Sequence, residues 1–179
     1  MLSEGEQDGR DADEGRQDHM DGERIIGVIG GALRKSGTFR STAFTLVVTD
    51  RRVIAAEVTD AVKRAHAAEQ KAAGGGSHLG GLFGRGGGEP LAGHYLRMDP
   101  EAIIAESPGN LLFVPGLVSD VVVMRGTRLG DENTTESYLF IRLTDARGAA
   151  DYSTSAEIPS HADALSLFRG LFGPIVRTG

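Results

Sequence analysis

"TLVVTDRRVIAAEVT", residues 45–59, sets an apolar run on either side of the charged cluster Asp50-Arg51-Arg52. Residues 43–49 (AFTLVVT) and 52–58 (RVIAAEV) read as two strands joined at Asp50-Arg51. The cluster has a catalytic reading, with Asp50 as base and Arg51 or Arg52 as an anion clamp. Three neighbours on one turn tip cannot enclose a substrate, however, and no histidine or nucleophile stands close in sequence. A hairpin turn is the better reading: Asp50 bonds its own backbone, and Thr49 and Arg52 close the strands.

From Thr59 onward the period changes. Thr59 suits an N-cap with Asp60 in the first turn, and Ala61, Ala65, Ala68 and Ala72 recur at helical spacing, so a helix with a weak apolar face is expected. It runs into a glycine-rich loop in which nine of the fifteen residues 74–88 are glycine. Asp99-Pro100-Glu101 then has the form of an N-cap with proline at the first helical position, opening a short helix at 99–106. The runs LLFVP and VSDVVVMR follow as strands, the second buried, and residues 126–136 read as a polar loop. YLFIRLT and AADYSTSA flank Asp145-Ala146-Arg147-Gly148, a second hairpin signature. Ser160 and Asp163 make a capping-box-like pair for a last helix, on which Leu165, Phe168, Leu171, Phe172 and Ile175 form an apolar stripe.

Upstream, residues 24–34 (RIIGVIGGALR) suggest a strand that bends or bulges at Gly30-Gly31, followed by the polar connection KSGTFRST. Residues 1–22 lack β-branched and aromatic side chains and are expected to be a disordered acidic tail, with Met20 an alternative start. That tail holds eight acidic and two basic residues and so carries the whole formal net charge of -6; from residue 23 on, 17 acidic and 17 basic residues balance. No nucleic-acid partner is expected from such a balance. The absence of cysteine excludes disulfides and thiolate chemistry. The acidic N-terminus lacks the secretory pattern, and no apolar run approaches the roughly 20 residues that span a bilayer, so a cytoplasmic chain is expected. With 179 residues, a single domain over 23–179 interrupted by an insertion at 59–93 fits best.

This order of elements resembles the bacterial PH-like domain family. In that family an apolar-apolar-Thr-Asp-basic-Arg phrase joins the second and third strands, here Val47-Val48-Thr49-Asp50-Arg51-Arg52. Residues 113–121 (FVPGLVSDV) are similar to the family's later strand-turn-strand phrase. The resemblance covers residues 23–58 and 94–176. It implies a mainly β, α+β fold: a bent antiparallel barrel of about seven strands, plugged by the C-terminal helix.

The resemblance also points to the connection after the first strand, where PH domains carry basic residues that grip anionic headgroups; Arg34, Lys35 and Arg40 fall there. The second arginine of the usual Arg-x-Arg pattern is replaced by Thr42. In the glycine loop, Leu79, Leu82 and Phe83 beside Arg85 suit contact with a membrane or partner, or cover for a patch of the domain itself. Metal binding by His66, His78 and His94 is not expected, because their spacings are long, and no cofactor or phosphate-loop pattern is present.

The expected function is a non-catalytic module that binds a partner protein or an anionic membrane surface, the latter placing it peripherally at the inner face of the membrane. One alternative is a small-ligand site or enzyme at the barrel mouth using Arg34, Lys35, Asp50 and Arg51. The other is homo-oligomerisation through the inserted helix.

Overall fold

The computed structural model describes residues 22–35, 40–72, 89–129, 135–155 and 159–179. Its strands are β1 (Ile25–Lys35), β2 (Ser41–Thr49), β3 (Val53–Glu57), β4 (Leu111–Phe113), β5 (Val118–Leu129), β6 (Thr135–Asp145), β7 (Gly148–Ser155) and β8 (Val176–Thr178). Three helices separate β3 from β4, namely α1 (Asp60–Ala72), α2 (Glu89–Tyr95) and α3 (Pro100–Ala105), and α4 (His161–Phe172) follows β7. The strands form a single sheet in the order β4-β3-β2-β1-β7-β6-β5-β8. Every pairing is antiparallel except that of β5 with β8.

This mixed α+β sheet is open, which corrects the expected closed barrel of about seven strands. Closure would need β4 to bond β5, but the outer edge of β5 is already paired with β8, Val121 against Val176 and Val123 against Thr178. β4 is also only three residues long and is followed by Pro115, which has no amide hydrogen to donate. The sheet nevertheless bends over one core. Val53 and Phe113 from its first half meet Val121, Leu143 and Tyr152 from its second, and Ala164, Phe168 and Phe172 of α4 fill the concave side. Arg147 Nη2 donates to the Leu112 carbonyl oxygen at 2.7 Å and so ties the β6–β7 turn to β4 by a side chain where backbone pairing is missing.

The bend begins at the expected place. β1 shifts register between Ile29 and Ala32, with Gly31 at φ 64, a value that glycine adopts without side-chain strain. The sheet carries a second apolar layer on its other face. There Val47, Ile54 and Ala56 pack against Val62 of α1, Leu91 and Tyr95 of α2, and Ile103 of α3. β2 and β3 are therefore buried on both faces, which is why TLVV and VIAA are continuously apolar.

Several local expectations hold. The Thr59 hydroxyl accepts from Val62 N at 3.2 Å, Asp99 accepts from Glu101 N at 2.8 Å, and the Ser160 hydroxyl accepts from Asp163 N at 3.2 Å. Others are corrected. The face that α1 buries carries Val62 and His66, while Ala61, Ala65, Ala68 and Ala72 are exposed; the apolar layer of β2 and β3 receives Val62 and so fixes which side turns inward. α2, which no sequence signal had announced, follows the glycine-rich stretch and is anchored by Leu91 and Tyr95 one helical turn apart. β5 and β6 extend through most of the supposed 126–136 loop, pairing Gly126 with Tyr138 and Arg128 with Glu136. β5 is half-buried by alternation, Val121 and Val123 inward and Val122 less so, rather than buried throughout. At the C-terminus Pro174 cannot continue the helix, so α4 stops at Phe172, Gly173 takes φ 64, and a 3-10 turn leads into β8. Residues 1–21 of the acidic tail and residues 74–88 of the glycine loop lie outside the described residues.

Candidate functional site

The Thr49–Arg52 turn is the first place to look for chemistry, and its groups are spent on holding elements together. The Thr49 hydroxyl accepts from Arg51 N at 3.1 Å and Arg52 N at 2.9 Å, and donates to Glu23 Oε1 at 2.6 Å. Arg52 reaches the same carboxylate through Nε at 2.9 Å and Nη2 at 2.6 Å, and also pairs with Glu101 at the start of α3. One turn thus fastens the chain ahead of β1, the β2–β3 hairpin and the helical layer. Asp50 does not bond its own backbone as expected. Thr49 already occupies that role, and the Asp50 carboxylate turns outward to accept from Arg24 N at 3.0 Å. That bond, with the Arg24 side chain, holds Asp50 below the usual aspartate range. We expect Thr49→Val, which keeps shape and loses the acceptor, to lower unfolding stability by about 1–3 kcal/mol in urea titrations, because two turn amides lose their partner.

Arg34, Lys35, Asp50 and Arg51 do not form one site. Lys35 pairs with Ser41 at one end of β2, and Asp50 follows Thr49 at the other. Eight steps of about 3.3 Å put the two ends roughly 26 Å apart. Arg34 instead opens onto a cleft of about 80 Å³ that it shares with Leu111 and Phe113 of β4, Asp145 and Arg147 of the β6–β7 turn, and Gly148. Arg147 is committed there: it bonds Asp145 through Nε at 2.9 Å and lies over the Phe113 ring at 5.4 Å. The Arg34 side chain makes no hydrogen bond or ion pair among the described residues, and neither does that of Lys35. Beneath the cleft, Tyr152 is fully buried, pairs with Arg34 across β1 and β7, and its hydroxyl has no hydrogen-bond partner among the described residues. Burial pushes that phenol up to about 12, against the pull of Arg34 and Arg147. Arg40 sits exposed just before β2. Leu79, Leu82, Phe83 and Arg85 lie outside the described residues.

The helical layer holds a grouping that linear spacing hid. His66 on α1 and His94 on α2 bring their ring centroids to 4.7 Å, although 27 residues lie between them in the sequence. Glu69, one turn along α1 from His66, places Oε2 3.5 Å from His94 Nδ1, and Glu106 Oε1 stands 4.0 Å from His94 Nε2. His66 is buried, and burial together with nearby His94 and Arg97 lowers its imidazole below the ordinary value, favouring the neutral ring; Glu69 opposes this. His78 lies outside the described residues. The signal in the sequence is the His-x-x-Glu pair at 66 and 69, which one face of a helix presents together.

Among the described residues no helix is long and apolar enough to cross a membrane. Comparison with protein-family models, with curated proteins and with solved structures gave no match for this chain.

Proposed function

We propose that the chain is a non-catalytic interaction module of the PH-like class that recognises an anionic group on a membrane surface or a partner protein through Arg34, with Lys35 at the same end of β1 and Arg40 just before β2 as further cations. The observation that carries this reading is Arg34 itself: a guanidinium at the mouth of a cleft, without an intramolecular counter-ion among the described residues. Most of the other arginines with assigned partners are engaged in ties that hold elements together, as Arg142 is to Asp151 at 2.6 Å and Arg177 to Asp120 at 2.8 Å. An uncommitted arginine fork suits a phosphate or carboxylate, which it can bind through two parallel N–H···O bonds. The PH-like assignment draws support from seven successive antiparallel strands with a C-terminal helix seated on their concave core.

The size of the cleft argues for docking over enclosure. At about 80 Å³ it is well short of the roughly 300–1,000 Å³ of sites that engulf small metabolites, so it can take a single anionic group presented by something larger. Leu33, exposed on the opposite face of β1 from Arg34, shares that face with Lys35.

Co-sedimentation with vesicles tests the reading. The full chain is expected to pellet with vesicles rich in anionic lipid and not with neutral ones, and Arg34→Glu should abolish pelleting while leaving the thermal midpoint unchanged. If vesicles fail, the same variant pair probed against immobilised phosphopeptides distinguishes a protein partner. Indifference of both probes to Arg34→Glu would contradict the proposal.

A further inference from the structure

We infer that His66, Glu69 and His94 form a binding site for one divalent transition-metal ion of the Zn²⁺ class, clamping α1 to α2. This goes beyond anion recognition at Arg34 and does not depend on it. One ligand atom from each of the three side chains lies within 4.8 Å of the other two. Donors around tetrahedral zinc, with bonds near 2.0–2.1 Å, stand about 3.3 Å apart. The Glu69 Oε2 to His94 Nδ1 separation of 3.5 Å is already at that value, so only His66 needs a small approach.

Three features make the group more than a chance meeting of side chains. His66 and Glu69 are spaced i and i+3, so the backbone of α1 fixes both on one face. His94 is held from below, because its neighbours Leu91 and Tyr95 are buried in the apolar layer that also takes Val62 and Ile103. Finally, Glu106 stands behind His94 on the Nε2 side at 4.0 Å. A carboxylate on that side leaves the Nδ1 edge of the ring, which faces Glu69, for the ion, as outer carboxylates do behind metal-bound histidines.

The donor set also selects the ion. Two imidazoles and one carboxylate suit Zn²⁺, Ni²⁺, Co²⁺ or Cu²⁺ and are poor for Mg²⁺ and Ca²⁺, which take oxygen ligands. The exposed cation of Arg97 lies near His66, and the Glu69 carboxylate within the donor set opposes its charge. Three protein donors leave a fourth position for water or an incoming group.

The test is calorimetric titration of the metal-stripped full chain with ZnCl₂ and, separately, MgCl₂. One saturable Zn²⁺ per chain is expected, with no Mg²⁺ uptake. Zinc at about a hundred times its dissociation constant should raise the thermal midpoint by roughly 5–10 °C. Glu69→Gln, at a side chain 64% exposed and so safe for folding, and His94→Ala should each weaken binding about tenfold or more, and Glu106→Gln by a smaller factor. His161→Ala, in a histidine placed on α4 away from the cluster, should change nothing. Circular dichroism of the metal-free variants separates loss of binding from loss of fold. No saturable Zn²⁺ uptake, or uptake that persists in the folded Glu69→Gln/His94→Ala double variant, overturns the site.

Discussion

Phe168→Ala is expected to remove about 3–5 kcal/mol of unfolding free energy, the largest effect of any single truncation in this chain. Phe168 is fully buried at the centre of α4, with its ring 6.3 Å from Phe172 and nearly parallel to it, and the pair fills the concave side of the bent sheet. Both halves of the sheet lean on this filling: Leu46 and Val53 come from one, Val123 and Ile141 from the other. Because the sheet is open, no ring of backbone bonds holds the halves together if the filling is lost. A chain of this length should lose about 6–20 °C from its thermal midpoint, and the denaturant slope should stay near that of the parent if the collapse is local. Leu165→Ala, on the partly buried flank of the same helix, should cost distinctly less.

Arg52→Ala is expected to cost about 2–3 kcal/mol and, more tellingly, to change how stability depends on pH. Arg52 and Glu23 are both largely withdrawn from water, with side chains 18% and 10% exposed. Removing the arginine strands a carboxylate in that setting and cuts the tie to Glu101, which costs more than losing an exposed pair would. Desolvation pushes the pKa of Glu23 upward, but hydrogen bonds from Arg52 and Thr49 outweigh it, and the net value lies below the ordinary 4.5. A carboxylate whose folded pKa is depressed contributes stability that is present above 4.5 and is lost as pH falls through the folded value. The parent should therefore lose stability in that acid window, and Arg52→Ala should show a visibly shallower loss because its Glu23 no longer has a depressed pKa to defend. Urea midpoints across an acid series, compared between the two proteins, measure the difference. An unchanged acid slope would show that Asp120 and Asp145, whose pKa values arginine partners also lower, dominate the acid response.

The central hairpin was legible because its signals agree. Two β-branched runs, a Thr-Asp-Arg-Arg joint and a helix cap at Thr59 place the boundaries within one or two residues of where the structure has them, 43–49 against Ser41–Thr49 and 52–58 against Val53–Glu57. The caps at Asp99 and Ser160, the bulge at Gly30-Gly31 and the turn at Asp145–Gly148 were legible for the same reason: each is chemistry between residues two to four apart. What the sequence hid depends on distant neighbours. The periodicity of α1 displayed alanines, but which face turns inward is decided by the apolar layer of β2 and β3, and Val62 and His66 answer it. β8 follows the helical stripe that Pro174 interrupts and was not expected, and its parallel seat on β5 occupies the edge that barrel closure would need.

The site residues divide along the same line. Arg34 and Lys35 were singled out as part of the connection after the first strand and in fact end β1, whereas the cleft under Arg34 is made by β4 and the β6–β7 turn, roughly 75 to 115 residues further on. His66 and His94 were dismissed as too far apart in sequence, and the fold of α2 against α1 is what brings their rings together.

The measurement that tests the central claim most directly is an amide chemical-shift map of the full chain titrated with anionic bicelles. Recognition at the Arg34 mouth predicts saturable shifts at Arg34, Lys35, Arg40 and Gly148–Ala150, with the α1–α2 pair unaffected and the shifts lost in Arg34→Glu. Shifts concentrated on another face of the sheet and unchanged in the variant, or absent from that cleft with both bicelles and a phosphopeptide, would contradict it.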